Sequence, residues 1–431
     1  MKNRIVRPTN QFTGTPLVPG DKSISHRALI IGALSEGRTL IKGLLDSADV
    51  QATAECLQMM GLQISQKNNI TEVIGRGLFG FRSPRQTLNC GNSGTTLRLL
   101  MGLLAGQKNF SSELTGDKSL IRRPMKRVAD PLRLMGADLI LTEENFAPLK
   151  IHGAALHGID YELKIASAQI KTALILAALT SEGKTRITGQ IHSRDHTERM
   201  LKSLGVEIKT TATQIEIAGG QKIEPSTILV PGDPSTAAFW LAGACLIPGA
   251  EVEMQRISLN PSRLGFVRVL QKMGAPIEME MTHENAEPVG RLRLRHRDIS
   301  GFLKAVRIEA TEIPSLIDEL PLLAVLATQA EGLTEVFGAH ELRVKETDRI
   351  EAIANNLRSM GGNIETRPDG FSIQGPQKLQ GAALQSFDDH RIAMAFSIAA
   401  LIADGESLIE NADCVGVSYP EFFNILQLMT S

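Results

Sequence analysis

The chain has 431 residues, 46 Lys and Arg against 47 Asp and Glu for a formal net charge of -1, with 42% hydrophobic and 22% charged residues. This is ordinary globular material, long enough for two domains of roughly 200 residues each, and no net field would draw nucleic acid or a membrane surface. Aromatic residues at 4%, with one tryptophan, exclude a base-stacking platform, and the four cysteines, Cys56, Cys90, Cys245 and Cys414, show neither metal nor redox spacing.

The first segment, MKNRIVRPTNQF, lacks an apolar stretch followed by a small-residue cleavage site, and no apolar run reaches membrane-spanning length. A cytoplasmic protein with no membrane partner is therefore expected. Beyond this segment one theme recurs six times: an apolar helix, a glycine, then a β-like stretch. The copies are ALIIGALSEGRTLI, LRLLMGLLAGQKNF, ALILAALTSEGKTRI, AAFWLAGACLIPGAEV, LLAVLATQAEGLTEV and MAFSIAALIADGESLI, with Gly37, Gly106, Gly183, Gly249, Gly332 and Gly405 read as left-handed helix stops.

A second helix ending in glycine follows each of the first five: CLQMMGLQI, PLRLMGADLI, MLKSLGVEI, VLQKMGAPI and NLRSMGGNI. The sixth, NILQLMTS, reaches the end of the sequence with no room for closing strands. Each unit is helix, strand, helix, strand in about 72 residues, and variation in unit length disfavours a solenoid of independent repeats. The simpler partition is two domains of three units. IVRPTNQFTGTPLVPG has no unit of its own and is expected to supply the missing strand. That makes the C-terminal domain discontinuous, residues 1–18 plus 232–431, with 19–231 as the N-terminal domain and two chain crossings acting as a hinge.

Polar clusters precede the first helix of every unit: GDKSISHR, CGNSGTTLR, ASAQIKTA, PGDPSTAA, PSLIDELP and SFDDHRIAM. Helix N-termini present unpaired amides and favour anions. If the helices in a domain run roughly parallel, these ends converge, and two such faces across a hinge would line a cleft of anion donors. Two basic segments, TGDKSLIRRPMKR and ELRVKETDR, add arginines suited to bidentate recognition of carboxylate and phosphate. Taken singly each cluster is weak: a serine or aspartate before a helix is usually a cap, GDKS lacks P-loop spacing, and KETDR reads as a solvated helix face. DDHR has no second histidine at ligand spacing, so no metal is expected. Cys90 is expected to be packed rather than reactive.

The motifs PGDKSISHR, GNSGTTLR, RRPM, SAQIKTA, SRDHTERM, VPGDPSTAAF, PSLIDELP, LRVKETDRI and DDHRIAM, in this order over nearly the whole chain, resemble those of the 5-enolpyruvylshikimate-3-phosphate synthases. The resemblance implies an α/β fold of two inside-out domains, each of three βαβαββ units. It also implies enolpyruvyl transfer from phosphoenolpyruvate to shikimate 3-phosphate with phosphate released and no cofactor. By motif, Lys22, Ser23, Arg27, Ser167, Ala168, Gln169, Ser193, Arg194, Asp318 and Lys345 would hold shikimate 3-phosphate. Lys22, Asn92, Gly94, Arg123, Gln169, Lys345, Glu346, Arg349, His390 and Arg391 would hold phosphoenolpyruvate, and Asp49 also matches a family position.

The implied chemistry needs a base for the 5-hydroxyl and an acid for the methylene carbon. Asp318 is assigned as base and Glu346, aided by Lys22, as proton donor and acceptor, with His390 as the alternative acid. Ser119, in place of an arginine found in some members, and Val417-Ser418 before the Tyr-Pro pair resemble the class II branch. Glyphosate is accordingly expected to inhibit, with Gly94 leaving room for it, and a monomer is expected. The sibling alternative acts on UDP-N-acetylglucosamine and usually has a cysteine in the mobile loop, whereas TGDKSLIRRPMKR has none.

Overall fold

The computed structural model describes residues 2–284, 286–298 and 303–431. The chain divides into two compact units. One comprises Gly20–Pro231 with Asn285–Glu287; the other comprises Met1–Pro19, Gly232–Glu284 and Pro288–Ser431.

In the first unit the helices Lys22–Leu34, Gly94–Ala105 and Ala168–Thr180 are buried almost throughout. These segments are apolar all round rather than striped, as a helix enclosed on every side requires. The expected i, i+3, i+4 stripe belongs instead to the second helices, such as Lys126–Leu134 and His196–Ser203, which bury one face. Small residues allow the inner helices to pack closely. A Cβ on Gly102 would lie 2.2 Å from the Ala173 carbonyl oxygen, so any side chain there would push two helices apart.

Each inner helix is covered by a four-stranded mixed sheet. Ser111–Thr115, for example, pairs in parallel with Leu88–Asn89 and antiparallel with Phe146–His152, which also pairs with Asp138–Thr142. Phe146–His152 alternates buried and exposed residues, as a sheet with one solvated face must. Helices lie inside and sheets outside, giving the inside-out α/β architecture.

In the second unit the inner helices are Pro234–Leu246, Leu320–Ala327 and His390–Ala400. The N-terminal segment completes two of its sheets. Arg4–Val6 runs antiparallel to Ser407–Glu410, and Thr13–Gly14 runs parallel to Glu251–Ser258. Between these strands Phe12 packs under the inner helix, where a Cβ on Gly243 would come within 2.5 Å of its ring.

The glycine stops need correction in part: Gly183, Gly249, Gly332 and Gly405 do take positive φ, but each lies beyond the residue that caps its helix, and Gly37 and Gly106 depart further. Gly61, after Ala48–Met59, has φ 92°, with its amide on the Gln58 carbonyl at 2.9 Å and the Leu62 amide on the Leu57 carbonyl at 3.2 Å. This is the left-handed stop, and it ends a second helix. The first helix Lys22–Leu34 instead passes through extended Ser35 directly into Glu36–Lys42, placing Gly37 inside that strand. Gly106 caps its helix with φ -98°, outside the left-handed region. A helix that turns straight into an adjacent strand has no use for the left-handed reversal.

Candidate active site

Short polar side chains shape the starts of the inner helices. Asp21, Ser93, Ser167, Asp233 and Asp389 each accept a hydrogen bond from a backbone amide in the first turn. Their caps leave the following side chains directed from ordered backbone, and in each unit those side chains reach one another.

In the unit built on Gly20–Pro231, Lys22 Nζ lies 2.9 Å from Asp49 Oδ2, with both groups largely buried. Arg27 is buried among hydroxyls, donating to Thr197 Oγ1 at 2.7 Å, Thr172 Oγ1 at 2.8 Å and the Ser23 carbonyl at 2.9 Å. Burial, countered by Glu198 and reinforced by Arg194, lowers its guanidinium to about 10. Arg194 Nη1 in turn reaches Ser23 Oγ at 3.1 Å. The structure thus joins Ser23, Arg27 and Arg194, although Arg27 makes its contacts inward and also fastens helices together.

The glycine turn forms a second group. Arg123 Nη2 donates to Asn92 Oδ1 at 2.9 Å, and Asn92 Nδ2 donates to Asp117 Oδ2 at 2.7 Å. Asp117 Oδ1 also takes the amides of Ser119 and Leu120, which bends TGDKSLIRRP back over the turn. Of the adjacent arginines Arg123 is buried and Arg122 exposed. Arg98 Nη1 reaches Gln169 Oε1 at 2.6 Å, while Gln169 Nε2 donates to Thr95 Oγ1 at 3.0 Å. A Cβ on Gly94 would lie 3.0 Å from Arg98 Nη1 and 3.4 Å from Arg123 Nη1. Gly94 therefore keeps two guanidinium groups close to a helix N-terminus.

In the other unit, Arg349 is 1% exposed and gathers three carboxylates. Its Nε is 2.7 Å from Asp389 Oδ2, its Nη2 is 2.7 Å from Glu346 Oε2, and its Nη1 is 3.3 Å from Asp318 Oδ1. Burial opposes its charge, but Asp389, Glu346 and Asp318 raise its pKa above the ordinary arginine value. Lys345 Nζ is also 3.3 Å from Asp318 Oδ1. Arg391 donates to the Asp318 carbonyl at 3.4 Å and lies 3.6 Å from Glu319 Oε1, and the adjacent His390 is buried.

KETDR is not a plain solvated helix face. Asp348 caps Arg349–Ser359 and binds Arg343, while Lys345, Glu346 and Arg349 converge on Asp318 or on its partners. In DDHR, Asp389 serves Arg349 and the Arg391 amide. Among the described residues no group of three or more His, Cys, Asp or Glu is placed to hold a metal ion, and no helix is long and apolar enough to cross a membrane. Cys90 is buried beside Cys56, whose hydrogen bond and the burial push its thiol well up, so it is a packed group.

Sequence reading missed several contributors. Arg98 was visible in GNSGTTLR and Lys171 in SAQIKTA, but their partners lie far along the chain. PGDPSTAA is a structural cluster: its Asp233 is 2.6 Å from Arg263, both buried.

The family model for EPSP synthase (3-phosphoshikimate 1-carboxyvinyltransferase) matches residues 6–426. A Bacillus thuringiensis (strain Al Hakam) 3-phosphoshikimate 1-carboxyvinyltransferase is 45% identical over 433 residues, covering 100% of both chains. A Bacillus cereus (strain B4264) protein of the same name is 45% identical over 430 residues, covering 99% of each. The solved EPSP synthase from Acinetobacter baumannii has a TM-score of 0.87 at 40% identity, covering 100% of this chain and 98% of that one. The match spans both units and every motif discussed, and the chain belongs to the EPSP synthase family, the 3-phosphoshikimate 1-carboxyvinyltransferases.

Proposed function

We propose that this chain transfers the enolpyruvyl group of phosphoenolpyruvate to the 5-hydroxyl of shikimate 3-phosphate, releasing phosphate by addition and elimination. The observation that carries the reading is the anchoring of Asp318 and Glu346 on one buried guanidinium, that of Arg349. Two carboxylates fixed in this way can divide the base and acid roles that the reaction requires.

Each substrate carries a phosphate and a carboxylate, so four anionic groups must be accommodated. Lys22, Arg123, Arg194, Lys345 and Arg391, with capped helix N-termini, supply the opposing charge. Ser23, Ser167, Gln169, Ser193 and Arg194 take the shikimate phosphate, with Ala168 and Arg27 supporting them. Asn92, Gly94, Arg123 and Arg391 take phosphoenolpyruvate.

Asp318, held by Lys345 and Arg349, removes the proton of the 5-hydroxyl as its oxygen attacks C2 of phosphoenolpyruvate. Glu346 protonates the methylene carbon. The tetrahedral intermediate then loses phosphate, which carries off the proton held by Asp318, and Glu346 takes a proton back from the new methyl group to restore the double bond. Exclusion of water would protect the intermediate.

The test is phosphate release from phosphoenolpyruvate by the purified chain. Release that depends strictly on shikimate 3-phosphate supports the reading. Release supported equally by UDP-N-acetylglucosamine overturns it.

A further inference from the structure

Lys171 lies in the SAQIKTA motif but is assigned no contact with a substrate above, and it is a 1% exposed lysine in the helix that Ser167 caps and that carries Gln169. An ammonium group has three protons to donate. Lys171 Nζ lies 2.7 Å from Glu198 Oε1, 3.3 Å from the Ile191 carbonyl and 3.3 Å from the Ser193 carbonyl. Glu198 is itself buried, in the helix His196–Ser203.

The two carbonyls belong to the stretch just before Arg194. There the Ile191 amide bonds to Gly189 and the Ser193 amide to Ile191, both at 2.8 Å, so the backbone is tightly bent. The next residue along the first helix, Thr172, shares a 2.7 Å hydroxyl contact with Thr197. Lys171 and Thr172 therefore fasten the bend and the start of the following helix at adjacent points. Ser193 Oγ is buried and has no protein partner among the described residues, while Arg194 extends to Ser23.

Surface solubility does not explain an enclosed lysine, and a buried ion pair is seldom worth more for stability than a well-packed apolar pair. We propose that Lys171, with Glu198, is a positioning residue for the phosphate of shikimate 3-phosphate: it fixes the Ile191 and Ser193 carbonyls and so sets the direction of Ser193 and Arg194. This rests on the substrate reading above and extends it to a residue that touches no substrate.

The experiment compares the wild-type chain with Lys171→Met and the double variant Lys171→Met/Glu198→Leu. The single variant leaves Glu198 buried and unpaired and is expected to fold poorly, whereas the double variant removes both charges and retains apolar volume. For the folded double variant, the KM for shikimate 3-phosphate should rise about tenfold or more, the scale of one well-aimed charge-assisted hydrogen bond. The KM for phosphoenolpyruvate should stay within about twofold, and the preference for shikimate 3-phosphate over unphosphorylated shikimate should shrink in step. An unchanged KM for shikimate 3-phosphate, an equal rise for both substrates, or a double variant that remains as unstable as the single one would overturn the assignment. Failure of the substrate reading itself is separate: the wild type would then show no release dependent on shikimate 3-phosphate.

Discussion

Arg349 Nη2 lies 2.7 Å from Glu346 Oε2, three residues earlier in the bend that precedes the helix, on a guanidinium that is sealed from solvent. The same side chain holds Asp389 and Asp318. Removing its charge would strand acidic groups in a low-dielectric setting. Arg349→Met should lower stability by about 3–5 kcal/mol, the usual cost of breaking a buried pair from one side, and abolish turnover. Urea unfolding combined with the phosphate-release assay checks both parts; a variant with wild-type stability would show that the carboxylates do not depend on this guanidinium.

The proposed division of labour between Asp318 and Glu346 separates chemistry from binding. Asp318→Asn and Glu346→Gln keep shape and some hydrogen bonding but remove proton transfer, so kcat should fall by about 100-fold or more. Calorimetry should show shikimate 3-phosphate still binding to both variants. Retained turnover in Asp318→Asn would remove that residue from the base role.

Gly94 has ordinary backbone dihedrals for any residue, so its substitution is a question of space. An added methyl meets Arg98 Nη1 at 3.0 Å. Gly94→Ala is expected to raise the inhibition constant for glyphosate by about tenfold, equivalent to ~1.4 kcal/mol, and to raise the KM for phosphoenolpyruvate less. Inhibition by glyphosate that is unchanged in the variant would contradict this.

His26 is fully buried, with Nδ1 2.7 Å from Thr53 Oγ1. Burial, then Lys22 and Arg27, depress its pKa well below 6.5, so it stays neutral in the folded chain where an unfolded histidine would take up a proton. The unfolded state thus binds more protons once pH falls below 6.5, and this contribution to stability, intact above that value, is lost as pH drops toward the folded pKa. Urea midpoints measured at about pH 7.5 and about pH 5 should fall less for His26→Gln than for the wild type. Equal decreases would show that His26 is not the titrating group.

Local chemistry was the legible part of this chain. Short polar residues ahead of apolar helices announced the caps at Asp21, Ser93, Ser167, Asp233 and Asp389, because capping involves only a few consecutive residues. The recurrence of that pattern also carried the α/β repeat architecture. What stayed hidden depends on long-range approach. Nothing local brings Asp318 and Asp389 to the arginine that pairs with Glu346 three residues away, and nothing in SAQIKTA says that its lysine turns inward to Glu198. The first-helix glycines misled because a glycine near a helix end looks the same whether it reverses the chain or lies in the next strand, as Gly37 does.

The pairing of Arg4–Val6 with Ser407–Glu410 has a consequence for biosynthesis. About 400 residues separate the strand Arg4–Val6 from its partner, so this sheet cannot close until all of that intervening sequence has been made. Gly20–Pro231 has nearly all of its sequence available much earlier and can fold as a unit while the rest emerges. Throughout that interval the backbone groups of Arg4–Val6 that will pair with Ser407–Glu410 have no sheet partner. The order of synthesis leaves Phe12 and its flanking strands waiting for a core assembled from later sequence. A chain rearranged so that this segment lies close in sequence to Ser407–Glu410 would shorten that wait, because the paired strands would no longer be about 400 residues apart.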